Sequence, residues 1–342
     1  MRDNRLESLH NIQMLRAFAA MIVVMHHLLP HYQAMGGDLY IIKSISEWGF
    51  VGVDIFFVIS GFIMAYTTFN KKRGSKSAKI FIKHRLFRIY LGYLPFFFVM
   101  LISLYYANPL KLEKLDIIGS LLLINADMFK LVLPVSWSLS YELYFYILFL
   151  FTLFFSLKRL YILIPSFTII IIALVAAVSL NLGLWDSFFY SPFLLEFFAG
   201  VLLYMFREAL MKYWMIPVAV AVAVVAYGYG ITHESKNGLY RVVSFGTGAL
   251  SIVLLALLLE QKKIYRANRF LEQLGDASYT IYLSHLILIQ LFYISGLRAF
   301  FTSEGYIMPL IGWLVMISIV VIFSMIYYKK VERPIYQKAI RL

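Results

Sequence analysis

Arg16 and His27 place a guanidinium and an imidazole inside one apolar run, residues 12–30. Ionisable groups in hydrocarbon are costly and mark functional sites by default. At about 100° per residue the eleven-residue step from one to the other makes three turns plus roughly 20°, so both side chains share one stripe, about 16.5 Å apart. His26 falls roughly 80° behind that stripe. An imidazole titrates near neutrality and suits general-base work. A guanidinium fork suits a phosphate. The blander alternatives are a cation snorkelling to the membrane surface and a hydrogen-bonded packing histidine, and the shared stripe favours function.

Other ionisable residues in apolar surroundings extend the set. Asp54 stands in Phe50-Val-Gly-Val-Asp-Ile-Phe-Phe-Val-Ile-Ser-Gly-Phe62, at a depth comparable to His27. It would orient the imidazole and stabilise its protonated form; the alternative is an acid favoured by a helix N-terminus. Ser138 and Glu142 are four apart and share a helix face, with Glu142 a base, an orienter or a packed carboxyl. Arg85 and Arg88, three apart, also share a face. They would grip phosphates or, the reading favoured by spacing alone, lipid headgroups. For Glu196 and His285 structural roles are favoured. His27, Asp54 and Glu142 fall at similar outer depths, while Arg16, Arg85 and Arg88 gather at the inner side. Cations inside and acid–base groups outside suit a reaction across a membrane, with a phosphate-bearing donor entering from the cytoplasm.

The elements that must position these groups are apolar helices. Of 342 residues 62% are hydrophobic and 14% charged, far from the roughly 25% charged of a soluble chain. This excludes a disordered protein, and the absence of cysteine excludes a disulfide scaffold, thiol catalysis and a cysteine-held metal. Ten runs approach the roughly 20 residues that span a bilayer: 12–30, 50–69, 87–106, 137–157, 160–180, 188–206, 214–231, 240–259, 277–296 and 307–328. Residues 117–124 are too short to cross, and lie at the interface or re-enter. With the N-terminus cytoplasmic, inside segments hold 23 Lys/Arg against 7 outside, as the positive-inside rule requires. The net charge of +13 therefore encodes orientation and calls for no nucleic acid. The expectation is an all-α polytopic membrane protein with about ten transmembrane helices, both termini cytoplasmic. Residues 1–342 form a single domain without a soluble appendage, the first span being a retained signal-anchor.

At these residues the chain resembles the acyltransferase-3 family of bacterial membrane acyltransferases. Asn11-Ile-Gln-Met-Leu-Arg16 through His27 is similar to the family's opening helix with its Arg-x10-His pattern, which selects His27 over His26. Gly52-Val-Asp-Ile-Phe-Phe-Val-Ile-Ser-Gly61, Arg85-Leu-Phe-Arg88, Ser136-Trp-Ser-Leu-Ser-Tyr-Glu142, Tyr279-Thr-Ile-Tyr-Leu-Ser-His285 and Val331-Glu-Arg-Pro334 follow in the family's order. The opening most resembles the exopolysaccharide-production subgroup. The resemblance implies transfer of an acyl group, often acetyl, from cytoplasmic acyl-CoA to a hydroxyl of a surface carbohydrate, free or lipid-linked, in the bacterial inner membrane. His27 would be the main catalytic residue, with Asp54 and Glu142 beside it and Ser138 and His285 in support. Arg16, Arg85 and Arg88 would engage the CoA. Acetyl-CoA or another acyl-CoA would be a co-substrate, with no tightly bound cofactor and no metal, and polysaccharide biosynthesis proteins would be partners. One departure is Phe193, where relatives often carry an arginine shortly before the Glu-Phe matched by Glu196 and Phe197. Larger relatives fuse an esterase-like domain at the C-terminus; without one, this chain would finish the transfer alone or hand over to a partner. The rival readings are a glycan or lipid transporter and a non-catalytic subunit of a polysaccharide export system.

Overall fold

The computed structural model describes residues 9–180, 182, 188–236 and 238–341. Among these there is no strand. The principal helices are α1 (His10–Ala34), α2 (Tyr40–Glu47), α3 (Gly52–Thr68), α4 (Ser75–Ala107), α5 (Trp137–Thr152), α6 (Leu157–Ser179), α7 (Phe193–Met205), α8 (Met215–Thr232), α9 (Thr247–Gln261), α10 (Arg269–Asp276), α11 (Ser278–Ile294), α12 (Ile307–Tyr327) and α13 (Arg333–Arg341). Eight helical stretches are long and apolar enough to cross a membrane, or nine if α10 and α11, bent by 63° at Ala277, count as one. The expected ten is thus reduced by one. The exception is 137–157, whose helix α5 has 16 residues, about 24 Å of rise.

The shortness of α5 has a local cause. The preceding segment Leu131-Val-Leu-Pro-Val-Ser136 is almost wholly buried, so α5 starts inside the bundle. Non-helical backbone is tolerated at membrane depth only where protein satisfies it. The Tyr282 hydroxyl donates to Val135 O at 2.9 Å and the Tyr93 hydroxyl to Ser120 O at 2.9 Å. The Val132 N–H donates to Ser120 Oγ at 3.1 Å. Within residues 117–124 the only helix is the short Ile117–Leu122.

The closest helix pairing is α3 with α7. A Cβ on Gly61 would stand 1.8 Å from Phe197 O, and one on Gly200 2.0 Å from Val58 O. Glycine alone allows the two backbones this approach, the usual device where lipid supplies no hydrophobic drive between helices. α1 lies between α3, α9 and α11, and its start is fixed by a carboxylate. Glu260, at the end of α9, accepts the His10 and Asn11 N–H groups at 2.9 Å each, which would otherwise have no intrahelical partner. Asn11 donates to Ala256 O at 3.1 Å and Tyr265 O at 2.9 Å, and accepts from Ala267 N–H at 2.8 Å. The opening Asn-Ile-Gln therefore locks the helix that carries Arg16 and His27.

Candidate active site

Three guanidiniums line one cavity of about 380 Å³. Arg16 comes from α1; Arg85 and Arg88 come from one face of α4. Arg16 Nη1 donates to Gln13 Oε1 at 3.0 Å, and Arg85 Nη2 to Thr67 Oγ1 at 3.2 Å. The Arg85 guanidinium lies 5.4 Å from the Tyr146 ring centre, and that of Arg88 5.8 Å from Tyr279. Glu142 and Asp276 share the wall, yet among the described residues none of the three arginines is ion-paired. Glu142 instead accepts from the Tyr146 hydroxyl. Along α3 the lining runs from Val53 to Thr67, about 21 Å of helix. The bend at Ala277 and the π-turn Tyr328–Glu332 bring Ser278, Tyr279 and Tyr328 into the wall. In that turn Glu332, from the Val-Glu-Arg-Pro string, accepts from Thr280 Oγ1. The result is a deep cationic slot with aromatic sides, suited to an anion on a long arm.

His27 does not line this slot; it stands one side chain beyond its inner end. Tyr282 and Ser138 form the wall there, with their hydroxyls 2.8 Å apart. The His285 ring lies 6.0 Å from that of Tyr282, and its Nε2 is 3.3 Å from His27 Nδ1. Both imidazoles keep Nδ1 on a backbone carbonyl one turn back: His27 on Val23 O at 3.0 Å, His285 on Ile281 O at 3.2 Å. A carbonyl only accepts, so this network assigns the proton to Nδ1 in both rings. His285 Nε2 then offers its lone pair to His27 Nδ1–H. The lone pair of His27 Nε2 is left over, with no hydrogen bond among the described residues. His285 is fully buried and His27 half-buried. Along α1 the slot is lined only as far as Arg16; Ala19, Ala20, Val23 and Val24, which lie between Arg16 and His27, are packed in the core, so the shared stripe is not an open path.

Two expected placements are corrected. Asp54 does not orient His27: both its oxygens accept from Arg241, Oδ1 from Nε at 2.9 Å and Oδ2 from Nη2 at 2.7 Å. Glu142 lines the arginine slot and accepts from Tyr146, with no contact to the imidazole among the described residues, because the buried segment before α5 sets the start of that helix inside the bundle. Arg85 and Arg88 turn into the slot alongside Arg16, against the headgroup reading that spacing alone favoured.

Arg241 is the residue the sequence reading missed. By its place at the edge of its apolar run it ranks among the outer-loop cations, yet it is only 8% exposed. Its guanidinium lies 4.7 Å from the Phe50 ring centre and 5.1 Å from that of Phe193, and Nη2 reaches Phe50 O at 3.4 Å. A guanidinium thus stands against Phe193 after all, delivered from another helix. Glu196 is buried nearby, with no donor to either oxygen among the described residues. The available signal was an arginine one residue inside the run 240–259, a location that should have placed it among the intramembrane charges.

The helical frame, with its eight or nine stretches able to cross a membrane, is that of a multi-pass membrane protein. The model for the acyltransferase-3 family, described as an acyltransferase domain, matches residues 9–329, and the chain belongs to that family. It is also similar to the exopolysaccharide production protein ExoZ of Rhizobium meliloti (strain 1021), at 33% identity over 267 residues, 73% of this chain and 79% of the relative. No solved structure matches it.

Proposed function

We propose that the protein is an O-acyltransferase of the bacterial inner membrane. It moves an acyl group, acetyl in the simplest case, from cytoplasmic acyl-CoA to a hydroxyl of an exopolysaccharide or other surface-glycan sugar. Both termini face the cytoplasm, in line with the Lys/Arg asymmetry. The observation that carries this reading is the slot of three arginines, none ion-paired among the described residues, whose wall residue Tyr282 lies 6.0 Å from the His285 ring of the His27–His285 pair.

Arg16, Arg85 and Arg88 hold the phosphates of the donor, and the thioester arm runs up the slot towards Tyr282. His27 Nε2 takes the proton from the acceptor hydroxyl as its oxygen attacks the thioester carbonyl. The tetrahedral intermediate collapses with cleavage of the C–S bond. The imidazolium returns its proton to the leaving thiolate, so that the products are an ester and the free thiol. Val23 O and His285 Nε2 keep the proton on Nδ1, the part a carboxylate plays in a hydrolytic triad. The name of the similar relative, an exopolysaccharide production protein, supports a glycan acceptor.

The test uses purified protein in lipid nanodiscs, labelled acetyl-CoA and the surface polysaccharide of the producing cell. Wild type transfers label to the glycan with one CoA released per ester. His27→Ala does not, although its helix content and donor affinity match wild type. Transfer retained by that variant defeats the assignment.

A further inference from the structure

A second cavity, about 660 Å³, is separate from the arginine slot and shares no lining residue with it among the described residues. Its walls are built from the turn at residues 116–127 and the starts of α5 and α7. Its chemistry inverts that of the slot. The described walls carry no lysine or arginine; they carry Asp116, Asn125 and Asp127 beside Tyr141, Phe188 and Phe189. Like-charge repulsion makes this a poor seat for a phosphate or for CoA. Three fixed polar groups make it a poor seat for an acyl chain. A neutral polyhydroxylated ring satisfies both halves, with its C–H faces on the aromatic rings and its hydroxyls donating to the carboxylates.

The polar rim is held in place before any ligand arrives. Asp116 accepts from Gly119 N–H and from Asn125 Nδ2, each at 2.8 Å. Asp127 accepts from Phe129 N–H at 3.1 Å, and its other oxygen lies 3.6 Å from the exposed Lys130 amine. A carboxylate oxygen so engaged still has a free lone pair. The Tyr141 and Phe188 rings stack at 4.6 Å, and Phe189 stands 64% exposed at the edge. Rigid rings and fixed acceptors lower the ordering cost of binding.

The two cavities share a wall. Phe57 lines the slot, and its ring meets those of Tyr141 at 6.3 Å and Phe193 at 5.4 Å, both of which line the second cavity. No histidine is among the described residues of the second cavity, so a sugar held there has no imidazole base beside it. We propose that this cavity is a subsite for a neutral sugar residue of the acceptor glycan, other than the residue that is acylated. The subsite rests on the O-acyltransferase reading and deepens it: the enzyme measures more than one sugar of its acceptor.

The probe is the neutral oligosaccharide fraction from partial hydrolysis of the producing cell's own surface polysaccharide, sorted by size. Calorimetric titration of the nanodisc protein gives affinity, and labelled acetyl-CoA gives transfer. Oligosaccharides are expected to bind and accept label better than the monosaccharide. Phe189→Ala and Asp127→Asn should each weaken oligosaccharide binding about tenfold, near 1.4 kcal/mol, and raise acceptor KM alike. Monosaccharide transfer and acetyl-CoA hydrolysis stay at wild-type rates. The asparagine keeps the acceptor for Phe129 N–H, so the turn survives. Transfer that proceeds with equal KM in wild type and both variants overturns the subsite and leaves the enzyme reading standing. Absence of transfer to any fraction, with donor binding intact, overturns the enzyme reading itself.

Discussion

The buried Asp54–Arg241 pair offers a sharp test, because sequence and structure assign Asp54 different work. If Asp54 serves the imidazole, Asp54→Asn stops turnover and leaves stability nearly alone. The structure predicts the reverse order of effects. Two charge-assisted hydrogen bonds, at 2.9 and 2.7 Å, join side chains that are 0% and 10% exposed. Removing one partner of such a pair strands the other charge and costs about 3–5 kcal/mol. At 1.4 kcal/mol per decade, that is roughly 100- to 4000-fold in the unfolding equilibrium. Arg241→Met strands Asp54 beside Glu196 and should cost as much. The double variant Asp54→Leu with Arg241→Met removes both charges, and buried pairs replaced by apolar residues are often near neutral. The single costs should therefore exceed the double by about 3 kcal/mol or more. The assay is reversible SDS unfolding in mixed micelles followed by helical circular dichroism, run beside labelled-acetyl turnover on the folded fraction. An Asp54→Asn protein that unfolds like wild type but does not turn over would refute the structural assignment and return Asp54 to the chemistry.

Further outcomes follow from the same geometry. His285→Gln should lower kcat roughly 100-fold through misplacement of His27 while acyl-CoA KM stays put, a split read directly from steady-state kinetics. Arg88→Gln removes a charge-assisted contact of about 1.5–3 kcal/mol and should raise acyl-CoA Kd by roughly 10- to 100-fold, measured by titration of CoA itself. Gly61→Leu forces side-chain atoms onto Phe197 O, where even a Cβ would stand at 1.8 Å, and should abolish monodisperse protein in size-exclusion chromatography. Gly228→Ala, with nothing within 4 Å of the added Cβ, should leave that profile unchanged. In the turn beside the second cavity, donation from the Asn125 amide and then Gly119 N–H holds the Asp116 carboxyl below the usual carboxylate range. A depressed pKa stabilises the turn above the ordinary value near 4 and loses that effect as pH falls through the lowered one. In the Asp127→Asn background, where Asp116 is the cavity's remaining carboxylate among the described residues, the residual oligosaccharide affinity should thus persist through pH 4 and fall only below it, a course that adding Asp116→Asn removes in the same titration.

The sequence by itself determined the class of solvent and the helical frame. Hydrophobicity is a property of composition and run length, so nearly all the spans are legible one segment at a time. Arg16, Arg85 and Arg88 were legible as well, because a charge in an apolar run draws attention wherever the chain goes next. Even so, their convergence on one slot, against the headgroup reading that spacing favoured for Arg85 and Arg88, needed the tertiary structure. So did the partners. A helical wheel ranks residues around one axis but carries no information about rotation against a neighbouring helix. Asp54 and His27 therefore looked paired by depth, although Asp54 points at Arg241 from a helix 187 residues away in sequence. His285, read as structural, meets His27 across 258 residues for the same reason. The shortness of α5 was hidden because hydropathy does not distinguish a segment that crosses lipid from one that starts inside protein. Depth comes from local sequence where a helix simply crosses, but at α5 depth too was set by packing; azimuth comes from packing throughout, and the chemistry at this site depends on it.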